Sequence, residues 1–294
     1  MHRRIATAIL GLTLSVTVTA RSIAQGLDPA WTEIGRTLGA APVDGGGYIR
    51  FNFPRSDVRM TVGDVSVAPA MLSTAWVGFA GTPAAADAMG DLIILAGELP
   101  AVTKALADAN IDIMAIHNHI GNEAPRLNYI HFHAMGNATD IAHRLDGVLK
   151  MTAIPRPVVA ATPAPVSIDS AHVFDVLGKR GKAFGAVASV SFMLVQEPVV
   201  VGGMTVFPSL AYGTPIVIQQ ISPTRAVATG DFSVTASHVQ PIMRALAANG
   251  ITATALHIHL VGAQPEVYYI HFWGDAPLPA LLHGLRAALD AARM

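Results

Sequence analysis

Ile113-Met114-Ala115-Ile116-His117-Asn118-His119, followed by Tyr129-Ile130-His131-Phe132-His133, is the stretch that decides how this chain is read. It returns 140 residues later as Ala255-Leu256-His257-Ile258-His259 and Tyr269-Ile270-His271-Phe272-Trp273. At that shift Gly90–Leu149 lies over Gly230–Leu289 without a gap, and 18 of the 60 positions are identical. Gly90-Asp91 falls on Gly230-Asp231, and Ala105-Leu106-Ala107 on Ala245-Leu246-Ala247. Upstream, a shift of 139 places Phe53 over Phe192, Val67 over Val206 and Pro69 over Pro208. A match of this length marks an internal duplication. The copies span residues 27–151 and 167–294. Residues 152–166 between them carry Pro155, Pro157, Pro163 and Pro165 among Ala and Val, the composition of a semi-rigid extended linker.

Each copy reads in the same order. A short helix opens it (Trp31–Leu38; Ala171–Leu177). Strand-like runs follow at Tyr48–Phe53, Val58–Val62, Ala75–Ala80 and Leu92–Leu95, with counterparts at Ala188–Val195, Met204–Phe207, Ile216–Gln219 and Phe232–Thr235. A helix then carries Leu99, Val102 and Leu106 on one stripe, matched by Val239, Ile242 and Leu246. Asn110 and Gly250 stand where a left-handed C-terminal cap is needed. Ile111–Ile120 and Leu127–Ala134 form a hairpin about a loop holding Gly121, Asn122 and Pro125. A last helix with Ile141, Leu145 and Val148 closes the unit. The expected fold class is α+β: two tandem copies of a helix-plus-antiparallel-sheet unit with a β-α-β-hairpin-α core, related by a pseudo-two-fold.

The chemistry sits on the hairpin. Side chains alternate along a strand, so His117 and His119 share a face, as do His131 and His133 on the returning strand. Imidazoles from adjacent strands can then surround one point, which is how multi-histidine metal sites are built. Copy two repeats His257, His259 and His271, with Trp273 in place of His133. Glu98 opens the helix of copy one and His238 stands in its place in copy two; either can ligate a metal, and either suits an exposed helix start. Against the metal reading stands plain hydrogen bonding of core histidines. Uncompensated imidazoles on a half-buried face cost several kcal/mol, which favours the metal. Glu123, in the hairpin loop, is the candidate general base beside a metal, with a solvated loop residue as the simpler alternative. Arg55 and Asp57 read as a turn salt bridge, with Arg55 holding an anionic ligand as the alternative. His143 and His283, on the last helix of each copy, read as solvated, and His172, without a counterpart, as incidental.

Composition narrows the rest. There is no cysteine, so thiolate sites, disulfides and Cys nucleophiles are excluded. Zinc is the first choice for a His and carboxylate site, with copper, manganese or iron as alternatives. A formal net charge of -1 leaves no basic field for nucleic acid. Apolar residues at 52% and charged residues at 13% exclude a disordered chain. Met1-His2-Arg3-Arg4, the apolar run Ile5–Ala20 and Ser22-Ile23-Ala24 have the form of a signal peptide over residues 1–24, cut before Gln25. The expectation is a periplasmic or secreted soluble protein, without a stable membrane anchor after cleavage.

Several segments resemble the LppY/LpqO family. They are Phe53–Arg59 (FPRSDVR), Ser73–Phe79 (STAWVGF), Gly90-Asp91-Leu92, Ile113–His119 (IMAIHNH), Pro125-Arg126 and Tyr129–Phe132 (YIHF). In copy two they are Ala255–His259 and Tyr268–Trp273. The resemblance implies an exported bacterial protein, in some members a lipoprotein, and supplies no reaction. It also implies an acidic residue at the Glu98 position of both copies, from which His238 departs. Together these readings give an exported, soluble divalent-metal-binding protein with its better-kept site in copy one, able to serve a metal-dependent hydrolase. The alternative is non-catalytic metal handling or small-ligand binding.

Overall fold

The computed structural model describes residues 27–158 and 167–293. The signal-peptide segment 1–24 and linker residues 159–166 lie outside them. The first copy runs α1 (Pro29–Leu38), β1 (Val43–Asp44), β2 (Tyr48–Pro54), β3 (Met60–Val62), β4 (Val65–Val67), α2 (Pro69–Leu72), β5 (Thr74–Thr82) and β6 (Ala85–Leu95). It continues with α3 (Leu99–Asp108), β7 (Asp112–His117), β8 (Glu123–Ala124), β9 (Leu127–Gly136) and α4 (Ala138–Leu149). The second runs α5 (Ser170–Leu177), β10 (Lys182–Phe184), β11 (Val187–Phe192), β12 (Val200–Val201), β13 (Met204–Thr205), α6 (Pro208–Ala211) and β14 (Thr214–Ser222). It ends with β15 (Arg225–Val234), α7 (Ala236–Ala248), β16 (Thr252–Ile258), β17 (Tyr268–Ala276) and α8 (Leu278–Ala291).

Each copy builds a six-stranded sheet of the same order, β1-β2-β5-β6-β9-β7 and β10-β11-β14-β15-β17-β16, antiparallel throughout. The expected α+β duplication is therefore the observed fold. Local chemistry sets the helix ends. Asp28 caps α1 through the Ala30 amide, Asn137 caps α4, and Asn110 and Gly250 take the left-handed backbone expected of them.

Period-two alternation then divides each sheet into two unlike faces. In the first copy Phe51, Val77, Gly90 and Phe132 are register partners on one face, and they bury against Ile34, Leu38, Leu106, Ile141 and Leu145 of the helices. Gly90 belongs there because a Cβ would sit 2.3 Å from the Phe132 ring. The opposite face carries Asn52, Trp76, Asp91 and His131 in register, then Ala115. Register in the second copy repeats this with Asp231, His271 and Ala255.

The two polar faces turn toward each other. Leu210 of α6 lies over Gly78 of the first sheet, so close that a Cβ there would be 2.2 Å away. In return Gln219 of β14 accepts from the Ala68 amide (2.9 Å) and donates to the Ser66 carbonyl (3.1 Å) at the start of α2. Val187, Val227 and Trp273 of the second copy pack into the core of the first. Arg225 joins Asp64 of the first copy and Asp275 of its own, at 2.7 Å each. The layers are helices, sheet, sheet, helices, with α2 and α6 between the sheets.

Three expectations shift. β6 begins at Ala85 rather than Leu92, and β15 at Arg225 rather than Phe232. Their first halves are rich in Ala, Asp and Gly, which disfavour strands locally, but neighbours on both edges supply the pairing. The short helices α2 and α6 were not expected; each opens on a proline at its first turn. The start of the linker is no free spacer: Arg156 pairs with Asp146 (2.7 Å), and the Val158 amide donates to the Gly39 carbonyl (2.9 Å). Among the described residues no helix is long and apolar enough to cross a membrane.

Candidate metal centre

The hairpin expected from the sequence forms, with His117 opposite Tyr129 and Ala115 opposite His131. Beyond the end of β7, His119 bends back so that its ring stacks 5.1 Å from that of His117. The second copy does the same with His257, His259 and His271. Because the polar faces meet, the two sets do not form two sites. His117 and His257 face each other with ring centroids 4.1 Å apart. His119 stacks on His271 and His131 on His259, each at 3.7 Å with planes inclined by 24°. These two contacts are images of one another under the duplication, so a pseudo-two-fold axis passes between His117 and His257. Tyr129 stacks on His119 (3.8 Å) and Tyr269 on His259 (3.7 Å). The tyrosine hydroxyls donate to the Leu72 and Ala211 carbonyls that end α2 and α6. Six imidazoles thus make one cluster, in place of a separate site within each copy.

Two carboxylates complete it. Asp91 lies across the strand pair from His131, with 4.0 Å between Oδ1 and Nε2. Asp231 accepts from Nδ1 of His271 in a short contact, which fixes that ring and turns Nε2 inward. Burial, with help from Asp231, pushes the Asp91 carboxyl up to about 8. Burial, reinforced by His271 and His257, pulls His131 down to about 3, and burial, reinforced by His271, pulls His257 down to about 4. It lowers His117, His119 and His259 as well. His117, His119, His131, His257 and His259 are therefore neutral at pH 7, the form that ligates metal.

The donor set fits a divalent ion. His119 Nε2, His257 Nδ1, His271 Nε2 and Asp91 Oδ1 are buried and have no hydrogen-bond partner. Each orphan costs on the order of 1–3 kcal/mol, and a shared cation would satisfy several at once. His117, His257, His259 and His271 bring one donor atom each within 4.8 Å of one another, and so do His119, His271 and Asp231. The His131–His117 and His259–His257 Nε2 atoms approach to 2.9 and 2.8 Å.

Other sequence candidates lie elsewhere. Glu98 accepts from Arg55 (2.9 Å) and from the Leu95 and Ala153 amides (2.7 Å each). Arg55 is fully buried and also pairs with Asp57 at 2.8 Å, as the turn reading expected. Leu194 stands at the Arg55 position of copy two, so His238 has no such partner and instead lies near the Thr235 and Ser237 hydroxyls (3.2 and 3.3 Å). His133 is held by Asp87 at 2.7 Å; in copy two the same two positions are Trp273 and Val227, which pack as apolar core. Glu123 is buried rather than solvated. It accepts from the Gly121 amide (2.6 Å) and closes the hairpin loop. None of these four is in the imidazole cluster. Sequence reasoning overlooked Asp91 and Asp231, although their repeat as a Gly-Asp pair was visible.

A cavity of about 650 Å³ opens onto the cluster between the sheets, reaching His119, His131, His259, Asp91 and Asp231.

The fold and site define a class: a tandem duplication of an α+β unit whose two halves share one buried histidine cluster that can hold a metal ion. The chain belongs to the family described as Domain of Unknown Function (DUF1259), whose model matches twice, at residues 32–151 and 171–291. No curated protein matches it. Among solved structures, EtuB from Clostridium kluyveri is 14% identical, with 86% of this chain and 90% of that one covered and a TM-score of 0.23. The fused permuted hexameric shell protein MSM0275 from the RMM microcompartment is also 14% identical, covering 71% and 85%, with a TM-score of 0.19.

Proposed function

We propose that the chain is an exported divalent-metal protein of the LppY/LpqO type whose metal centre is shared by its two copies. The observation that carries this is the convergence of six imidazoles on one axis, with unpartnered nitrogens on His119, His257 and His271. Zinc suits imidazole and carboxylate donors first; copper, manganese and iron are the alternatives. His117, His257, His259 and His271 form one four-donor set, and His119, His271 and Asp231 a three-donor set. Four protein donors close a site, as in structural or metal-handling proteins, whereas three leave a position for substrate. The three-donor set includes two residues that line the cavity, His119 and Asp231, which favours hydrolytic use over storage. A divalent ion there supplies Lewis-acid polarisation of a substrate oxygen. The protein's own residues do the rest: Asp231 orients His271, and Tyr129 and Tyr269 wedge the outer imidazoles. Export is supported by the basic start, apolar run and Ser22-Ile23-Ala24 of residues 1–24.

Elemental analysis of untagged protein tests the metal reading. At least one equivalent of a divalent transition metal is expected, lost in His117→Ala with His257→Ala. Wild-type protein that takes up no stoichiometric metal after dialysis against Zn, Cu, Mn or Fe refutes it. N-terminal sequencing of the mature protein is expected to begin at Gln25.

A further inference from the structure

The cavity above the cluster is not symmetric. The first sheet contributes Tyr48, Arg50 and Trp76, where the second contributes Ser189 and Pro215 at the positions of Arg50 and Trp76. Arg50 is half-buried on the polar face, three strands from His131. Its Nε donates to Asn52 Oδ1 at 2.7 Å, and its guanidinium lies 4.3 Å above the Trp76 ring. Among the described residues no carboxylate pairs with it within 4.0 Å, although every other arginine that is as little exposed, Arg55 and Arg156 included, has one or a pair of backbone carbonyls. Its side chain is thus held rigid by an amide and an aromatic face while the outer edge of the fork has no ion-pair partner. Lys179, Arg180 and Lys182 add exposed positive charge to the same cavity from the second copy, against Asp44 as the exposed acid of the lining.

We propose that this cavity binds a small organic oxyanion, its carboxylate or phosphate group gripped by Arg50 over Trp76 and its remainder directed toward the histidine cluster. A planar fork fixed at one end of a cavity matches the paired oxygens of such a group. A partly desolvated cation that feels Asp91 only through space, with no ion pair within 4.0 Å among the described residues, is costly until an anion arrives. The cationic rim draws anions in. A volume of about 650 Å³ takes a small metabolite and excludes a folded partner. The inference rests on the metal reading for what the far end of the ligand meets; its anchor, Arg50, does not.

Isothermal titration of the full chain with citrate and with inorganic phosphate tests it, with metal content measured on each preparation. Saturable binding of at least one probe is expected, and the stronger probe tells carboxylate from phosphate. Arg50→Met is expected to weaken it about 10- to 100-fold with unchanged metal content. Arg50→Lys, which keeps the charge and stem but not the fork, is expected to fall between. Absence of saturable binding by either probe overturns the inference, as does Arg50→Lys or Arg50→Met binding as tightly as wild type. Arg50-dependent binding to protein that takes up no metal upholds the anion site and refutes the metal centre alone. Metal uptake with Arg50-independent binding does the reverse.

Discussion

Acidifying the metal-free chain from pH 7 to pH 5.5 should remove a large part of its stability, and the cluster geometry sets how much. His131 is held down at about 3, and burial lowers His119 and His259 well below the ordinary range. An unfolded chain returns each to about 6.5. The sign follows from proton counts. Between the two values the unfolded state binds protons that the folded state refuses, so stability falls as pH falls. It is fully present above about 6.5 and is lost as pH drops toward the folded value. Between pH 7 and 5.5 each such histidine contributes about 1.2 kcal/mol of loss, whatever its exact folded value, provided that lies below the range scanned. His117 and His257 are lowered as well, so five rings together give about 6 kcal/mol of loss. Asp91, raised to about 8, takes up its proton in the folded state over the same range and returns about 2 kcal/mol. The net loss is about 4 kcal/mol, against a typical total of about 5–15 kcal/mol. The assay is urea unfolding of EDTA-treated protein at the two pH values, in parallel with His119→Gln plus His259→Gln. Wild type should lose about 4 kcal/mol and the double variant roughly 2 kcal/mol less than that. Equal losses in both proteins, or no loss in wild type, would refute the reasoning that these rings are buried and neutral.

Arg55→Met leaves Asp57 and Glu98 without their buried partner and should cost about 3–5 kcal/mol in urea unfolding, with metal content unchanged. Glu98→Gln and Glu123→Gln should each keep full metal stoichiometry by elemental analysis, since their oxygens serve Arg55 and backbone amides. His133→Ala should likewise keep the metal while lowering the unfolding midpoint through loss of the Asp87 contact. Gly90→Ala places a methyl against Phe132 and should destabilise by about 1–3 kcal/mol, with a changed near-ultraviolet circular dichroism signal.

Much of this molecule was legible in its sequence because it was written twice. The ungapped match fixed the equivalence of His117, His119 and His131 with His257, His259 and His271, and alternation along the strands put each trio on one face. Nothing local told that the two faces would meet, because that depends on how α2 and α6 seat on the opposite sheets. For the same reason a pair of sites was expected where there is a single cluster. Glu98 shows the other limit. An acid at a helix start beside a histidine motif reads as a ligand, and only a contact 43 residues away, with Arg55, shows where its charge is used. His133 failed in the same manner, through Asp87 on the neighbouring strand. Asp91 and Asp231 were on the page as a repeated Gly-Asp, but a lone acid in an apolar strand carries no label until its register partner is known to be histidine.

The axis between His117 and His257 has one further consequence. In a dimer of identical subunits, every side chain brought to such an axis arrives twice, so a site there must be as even-handed as its subunits. Joining the two halves in one chain lifts that obligation. Arg50 and Trp76 can stand on one wall with serine and proline on the other, and the cavity thereby gains a head and a tail. A molecule lying in it would meet a guanidinium fixed over an indole at one wall and plain hydroxyl beside exposed, flexible cations at the other, and so would have a single preferred direction. That is a property no symmetric pair of these sheets can offer.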